Sequence, residues 1–407
     1  MALVVQKFGG TSVADLARIR AVAERIRAAR EGGDQIAVVV SAMAGTTDQL
    51  VRWVTEVGGA HYDRAEHDVV VAAGEQVTSG LLAIALLAIG VPARSYLGWQ
   101  MPLATDGGHG RARIKALDPT GIRACLEQGQ VVIAAGFQGI APGQRISTLG
   151  RGGSDTSAVA LAAALAADRC DIFTDVDGVY TTDPRIVSKA RKLDRVTYEE
   201  MLEMASQGAK VLQTRSVALA MQHGVRVQVL SSFDERPGTL VVDESEIVEQ
   251  QVVSGIAYSR DEAKVTLVGV ADRPGVAATI FGPLAESGIN VDMIVQSVSA
   301  DGETTDLTFT VGRADLERTT ATLEAMRAQL RCRRIDADGE VVKISVIGVG
   351  MRSHAGIAHV MFRTLADRGI NIQAISTSEI KISILIDEAY TELALRALHT
   401  AYGLDAA

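Results

Sequence analysis

From Ala2 to Val242 the apolar positions of the chain switch repeatedly between two periods. Apolar, largely β-branched runs stand at ALVV (2–5), QIAVVV (35–40), VVIAAGF (131–137), CDIFTDV (170–176) and VQVLSS (227–232). Between them, apolar residues return every three or four positions, as on one face of a helix. The first such stretch places Leu16, Ile19, Val22, Ala23 and Ile26 on one face, and Ser12 with Asp15 has the spacing of a capping box at its start. This βαβα rhythm predicts an α/β domain, a mostly parallel sheet sandwiched by helices. The longest apolar stretch, Leu81 to Val91, is too short to span a bilayer and lacks flanking basic anchors, so it predicts a buried helix.

The pattern breaks at DESEIVEQQ (243–251), which is acidic and without core periodicity. Beyond it the sequence repeats itself. KVTLVGV at 264–270 returns as KISVIGV at 343–349, and LAESGINV at 284–291 returns as LADRGINI at 365–372. Each copy reads strand, helix, strand, strand, helix, the ferredoxin-like order if a last strand closes it. Cys332–Ile335 supplies that strand in the first copy. In the second, the chain reaches Ala407 just after the helix expected at 388–402. Residues 252–258 are therefore expected to supply its strand, with the first copy inserted inside the second. The expected division is 1–245, a 246–263 linker plus donated strand, then 264–342 and 343–407.

Composition narrows the class. Hydrophobic residues make up 47% of the chain but aromatics only 4%, so the core is built from Ala, Val, Ile and Leu, as in helices packed on sheets. A formal net charge of −9 argues against a general nucleic-acid or anionic-membrane surface, so any phosphate must be held by local groups. Three distant cysteines, Cys125, Cys170 and Cys332, lack disulfide-framework or zinc-ligand spacing and fit a reducing compartment. The N-terminus enters a strand pattern with no basic n-region or cleavage site, so nothing addresses the chain for export.

Two glycine-rich strand-to-helix turns offer places for an anion. KFGGTS (7–12) lets the backbone approach closely and brings a lysine to a transferred group; an ordinary turn with a solvated lysine is the alternative. GRGGSD (150–155) precedes an Ala-rich helix expected at 156–167, with Arg151 as a fork for carboxylate or phosphate and Asp155 to hold cationic groups. Here the alternative is a turn in which Ser154 and Asp155 cap the helix. TDVDGVYTTDPR (174–185) comes after a buried strand, where α/β sheets take nucleotides, although Asp-Gly and Asp-Pro are also ordinary turn pairs. Glu75 lies within the apolar run 69–78 and needs a partner, either a ligand ammonium or an internal Lys or Arg. Ser41 and Thr47, at a strand end and a helix start, complete the acceptor candidates. No Walker A pattern is present.

In order and spacing, KFGGTS, VVSAMAGTTDQL, AGE, LGRGGSDTSA and TDVDGVYTTDPR resemble the aspartate kinases of the amino-acid kinase family, over essentially the whole chain, with the repeats resembling tandem ACT domains. The resemblance implies phosphorylation of L-aspartate by ATP to 4-phospho-L-aspartate, the first step toward lysine, threonine and methionine. It implies Lys7 and Asp155 as catalytic groups, and Ser41, Thr47, Glu75 and Arg151 as the aspartate site. Lys7, Gly9, Gly10, Gly152, Gly153, Ser154, Thr174, Asp175, Tyr180, Arg185 and Lys210 would hold ATP, with Mg²⁺ bridging its phosphates. Lysine or threonine would bind at Asp272, Arg273, Pro274, Gly275, Ala277, Asn290, Asp292 and Gln296, and at His354, Ala355, Asn371 and Ile372. The second copy departs by having MRSHAG (351–356) where the first has DRPG (272–275). A cytoplasmic homo-oligomer joined through the ACT domains is also implied. Two competing readings are a kinase for glutamate, acetylglutamate or a nucleotide, and a catalytically silent amino-acid sensor. Thr47, Glu75 and the tandem repeats weigh against the first, and Lys7, Arg151 and Asp155 against the second.

Overall fold

A computed structural model describes residues 2–59, 61–209, 211–247, 252–298 and 303–405. The chain divides into two compact units. The first comprises 1–179, 192–206 and 210–249, and the second 180–191, 207–209 and 250–407.

The first unit opens with β1 (Leu3–Phe8), α1 (Leu16–Glu31), β2 (Gln35–Val40), α2 (Thr46–Gly58), α3 (Arg64–Val71), α4 (Ala73–Ala88) and β3 (Ala93–Tyr96). It continues through β4 (Leu103–Thr105), β5 (Ile114–Leu117), α5 (Thr120–Glu127), β6 (Val131–Ala135), β7 (Gln138–Ala141), β8 (Arg145–Thr148), α6 (Gly153–Leu165) and β9 (Arg169–Thr174). β10 (Arg195–Thr197), α7 (Tyr198–Ser206), α8 (Thr214–His223), β11 (Val227–Ser231) and β12 (Thr239–Val242) complete it. Eight strands form the main sheet in the order β10-β12-β11-β9-β1-β2-β6-β3. Every pairing is parallel except β11 with β12. β5-β4-β7-β8 make a smaller sheet.

β1, β2 and β6 are buried almost throughout, which is why they read as continuous apolar runs rather than alternating ones. Ile19, Val22 and Ile26 of α1 and Leu82 and Leu86 of α4 pack with Val4, Phe8, Val38 and Ile133 into one core. Truncating Leu82 to Ala there is expected to cost about 2–5 kcal/mol. α1 does not start with the expected capping box. Asp15 itself is the N-cap, accepting from Arg18 N–H at 2.8 Å. Ser12 is buried and bonds Ser232 Oγ at 2.5 Å, a tertiary contact that no local pattern announces. α4 buries only one face of the apolar stretch, leaving Ile84 and Leu87 exposed. The helical run Arg64–Ala88 is long and apolar enough to cross a membrane by length and composition, and half of it is buried inside the unit, as in a core helix.

The second unit contains β13 (Gly255–Ala271), α9 (Val276–Glu286), β14 (Val291–Val298), β15 (Thr304–Val311), α10 (Leu316–Ala325), α11 (Arg327–Leu330) and β16 (Arg334–Ile347). It ends with α12 (Ile357–Ala366), β17 (Ala374–Thr377), β18 (Lys381–Asp387) and α13 (Thr391–Ala401). Its strands form one sheet, β14-β15-β13-β16-β18-β17. Both long strands serve both sequence repeats. Residues 264–268 of β13 pair antiparallel with 334–338 of β16, while 255–259 pair with 343–347. Each repeat thus completes a four-stranded ferredoxin-like half around its own core, one centred on Val265, Leu267, Ile280 and Phe309 and the other on Ile344, Met361, Ile384 and Leu398.

The segment 180–191 belongs to this unit, and Val187 sits in the second core. Thr181 fixes it there. Its N–H donates to Arg191 O, its carbonyl accepts from Ile256 N, and its hydroxyl meets Nε2 of fully buried His399 at 2.8 Å. His399 Nδ1 is in turn 2.8 Å from Asp405 Oδ1.

Candidate active site

The carboxyl ends of β1, β2 and β6 open into a pocket of about 360 Å³ in the first unit, as the topology of an open parallel sheet favours. It is lined by Lys7, Gly10, Ser41, Thr47, Glu75, Arg151, Gly152, Gly153, Ser154 and Asp155, residues spread over 149 positions of sequence. The N-termini of two helices face it, those of α2 and α6. The start of α1, the second anion site expected from sequence, does not line it. Ser12, which closes KFGGTS, turns its hydroxyl toward Ser232 and Phe173 O instead, and Gly9 N–H is used by Phe173 O.

Lys7, at the end of β1, is buried and its Nζ stands 2.6 Å from Asp155 Oδ1. Asp155 lies in the first turn of α6, so it faces the lysine rather than capping the helix. Gly152, the residue before that helix, has φ 68°, and a Cβ there would meet Gln213 at 2.0 Å. Both the backbone conformation and the space require glycine. A Cβ on Gly9 would fall 3.3 Å from the Lys7 ammonium, so glycine keeps that end of the pocket open.

Glu75, in the first turn of α4, is 3% exposed. Its Oε1 accepts from Ala42 N–H at 3.0 Å, while Oε2 has no hydrogen-bond partner among the described residues. Burial pushes its pKa up to about 7 against the opposing Ala42 bond. No Lys or Arg pairs with it among the described residues. The pocket thus brings together a buried ammonium, two helix N-termini, the exposed Arg151 and a buried carboxyl group with one unpartnered oxygen.

The other expected site residues lie elsewhere. Thr174 and Asp175 are at and just beyond the end of β9, with Thr174 Oγ1 bonded to Asp175 Oδ1 at 3.0 Å. Tyr180 and Arg185 fall in the second unit, where Arg185 forks onto Asp183 at 2.8 and 3.0 Å. Lys210 lies outside the described residues. Phe137, Met43, Asp48 and Gln213 also line the pocket, and sequence reasoning missed them. Phe137 carries φ 68°, unusual for a bulky residue and enforced where the chain turns from β6 into β7. Nothing in the sequence beyond the preceding Gly136 marks it.

Of the expected effector residues, Asp272, Arg273, Pro274 and Gly275 are exposed in the loop before α9, and Ala277 lies in that helix's first turn. Asn290, Asp292 and Gln296 are exposed at and along β14. In the second repeat a 3-10 turn, Val349–Ser353, replaces the simple loop, and His354 Nδ1 lies 2.8 Å from Gly350 O. Ala355 and Asn371 are exposed and Ile372 half-buried.

Residues 2–231 match the amino acid kinase family model, and residues 264–328 and 344–402 each match an ACT domain model. The aspartate kinase of Pseudomonas putida is 55% identical over 407 residues, covering 100% of this chain and 98% of its own. The structure of Escherichia coli aspartokinase III with aspartate and ADP, in its R-state, is 29% identical, with 98% of this chain and 99% of that one covered and a TM-score of 0.82. The same enzyme with lysine and aspartate, in its T-state, matches over the same shares with a TM-score of 0.78.

Proposed function

Because the chain belongs to the aspartate kinases of the amino acid kinase family, a kinase domain followed by two ACT domains, we propose that its pocket seats aspartate between Glu75 and Arg151 with the side-chain carboxylate turned toward Lys7. The reaction transfers the γ-phosphoryl group of ATP to that carboxylate, giving ADP and 4-phospho-L-aspartate, the feedback-regulated first step toward lysine, threonine and methionine. No covalent enzyme intermediate is required, since an aligned carboxylate attacks phosphorus directly and the protein supplies placement and charge.

Glu75 takes the aspartate ammonium, Arg151 its α-carboxylate, and Ser41 and Thr47 donate to the remaining oxygens. Lys7 neutralises charge on the phosphoryl group in transit, and Asp155 holds the Lys7 ammonium in place. Gly9, Gly10, Gly152 and Gly153 let phosphate approach the backbone closely because they carry no side chain, with Ser154 beside them, while Thr174, Asp175, Tyr180, Arg185 and Lys210 serve the rest of ATP. Mg²⁺, in this reading, arrives on the nucleotide and screens its phosphates. No group of three metal-ligating side chains stands together among the described residues. Of the acidic residues lining the pocket, Asp155 is committed to Lys7.

Within the second unit the proposed division is 264–342 and 343–407 for the two ACT domains, after a kinase domain of 1–245 and a 246–263 segment that donates a strand. Lysine, threonine or both bind at the DRPG loop and the start of β14, with dimerisation along the ACT sheet. The free, buried thiols of Cys125, Cys170 and Cys332 suit a reducing compartment such as the cytoplasm.

The observation that carries the catalytic reading is the buried Lys7–Asp155 pair at the end of β1. Its test is Lys7→Ala. Because the lysine meets charge that develops during transfer, kcat is expected to fall on the order of a thousandfold while the Kd for ATP rises only a few-fold. A folded Lys7→Ala protein with near-normal kcat overturns the assignment.

A further inference from the structure

Asp68, in α3, is a fully buried carboxylate that lines no part of the pocket. It is surrounded by donors. Oδ1 accepts from Thr148 Oγ1 at 2.6 Å and lies 3.2 Å from His67 Nδ1. Oδ2 accepts from Thr148 N–H and Gly110 N–H, both at 2.9 Å, and lies 3.0 Å from His109 Nδ1. A carboxylate can be kept in a core only with such a full set of partners, and this one gathers backbone from two separate segments.

A second charge grips the same two segments from their carbonyl side. Arg215, in the first turn of α8, donates from Nη1 to Leu149 O and from Nη2 to Ala112 O, both at 2.7 Å. The segments are also bonded to each other, Ala112 N–H to Thr148 O at 2.9 Å. Residues 110–112 and 148–149 are thus held by an anion through their amides and by a cation through their carbonyls. Leu149 leads directly into Gly150 and Arg151, both on the pocket wall. Gly150 has φ 78° and leaves only 3.1 Å between a would-be Cβ and Gly110 O, so the clamped segment is the floor on which the turn rests.

We propose that Asp68 and Arg215 are positioning residues for the aspartate end of the pocket: together they fix the Leu149–Gly150 turn and so aim the Arg151 guanidinium. This rests on the reading of Arg151 as the group that takes the aspartate carboxylate. Neither clamp residue touches substrate. Their effect is geometric, and displacement of a binding group by about 1 Å is enough to cost up to a hundredfold.

The test uses the full chain and compares KM for aspartate with KM for ATP. Arg215→Met and Asp68→Asn are each expected to raise KM for aspartate about tenfold while changing KM for ATP less than about twofold. Because both loosen one segment, the double variant is expected to fall well short of the product of the single effects. Thr148→Val, which deletes only the hydroxyl donor to Asp68, gives a smaller rise in the same direction and serves should Asp68→Asn fail to fold. Equal rises in both KM values, or wild-type KM values in folded Arg215→Met and Thr148→Val proteins, overturn the clamp. Arg151→Ala separates the two ideas. If it leaves KM for aspartate unchanged, the reading of Arg151 fails; if it raises KM while the clamp variants do not, the clamp alone fails.

Discussion

Glu75 in the first unit and Lys343 in the second are buried to nearly the same degree, at 3% and 4% exposure, and the protein treats them in opposite ways. Lys343 meets Glu262 and Asp292, each at 2.7 Å. Burial alone would lower its pKa, and the two carboxylates outweigh that and raise it. Glu75 has one backbone amide and an oxygen left over, and its pKa rises because burial wins. An internally completed charge fixes structure, whereas an incomplete one is a binding site in waiting. By this measure the second unit keeps its buried ionic chemistry for the packing of its two halves. The proposed effector residues there, Asp272–Gly275, Asn290 and Gln296, are exposed. The two halves even answer each other: Lys343 of the second repeat bonds Asp292 of the first, and Lys264 of the first bonds Gln373 of the second.

The largest effect that sharpens this contrast is on stability. Lys343→Met strands Glu262 in the core and is expected to cost about 3 kcal/mol, read by denaturant unfolding of the second unit's transition. KM for aspartate in protein that remains folded should not move. A rise in that KM would mean that Lys343, too, serves the pocket.

Glu75→Gln should do the reverse, raising KM for aspartate about ten- to a hundredfold with KM for ATP nearly unchanged. Its sign on stability is also opposite. A carboxyl held near 7 in the folded protein, against about 4.5 unfolded, keeps its proton over that interval, so its ionisation weakens the free fold as pH rises. The variant is therefore expected to have a higher Tm than wild type at pH 8, by a margin that shrinks toward pH 5. An unchanged margin would show that Glu75 is paired.

A smaller effect comes from the same titration. The substrate ammonium needs ionised Glu75, so kcat/KM for aspartate should climb as pH rises through about 7 and level off above it. Glu75→Gln should flatten that limb.

The smallest expected effect is at the exposed loops. Asp272→Ala should leave uninhibited activity intact and move the effector inhibition curve a few-fold to higher concentration. An unmoved curve would remove the DRPG loop from effector binding, and a loss of basal activity would make Asp272 a structural residue.

The alternation of apolar runs and helical faces was enough to place the parallel sheet, because strands covered on both sides have no polar face to confuse the pattern. The glycine-rich turn at 150–155 was legible too, since only glycine satisfies the φ and the space at Gly152. What escaped was tertiary. Ser12 has the spacing of a cap but is drawn to Ser232, and Asp15 takes the cap. Asp68 reads as a polar residue in an amphipathic helix until residues 110 and 148 come to meet it. Phe137 and Gln213 reach the pocket from turns whose shape is set by their neighbours. The repeats predicted two similar modules and a strand donated from 252–258 to the second, but not that the strands of the two modules would run on as single long ones. Strand pairing is indifferent to where a repeat begins, and β13 and β16 run on through both.

The anchoring of the segment after β9 has a mechanical consequence. Val179 is held in the first unit, its N–H on Thr239 Oγ1 and its carbonyl on Leu193 N–H. Thr181 is held in the second by Arg191, Ile256 and His399. One residue stands between, Tyr180 on the outward pass and Lys192 on the return. Two strands of chain pinned at every second residue have no slack, so inserting or deleting one residue at 180 or 192 must shift the register of the whole pass rather than bulge out locally.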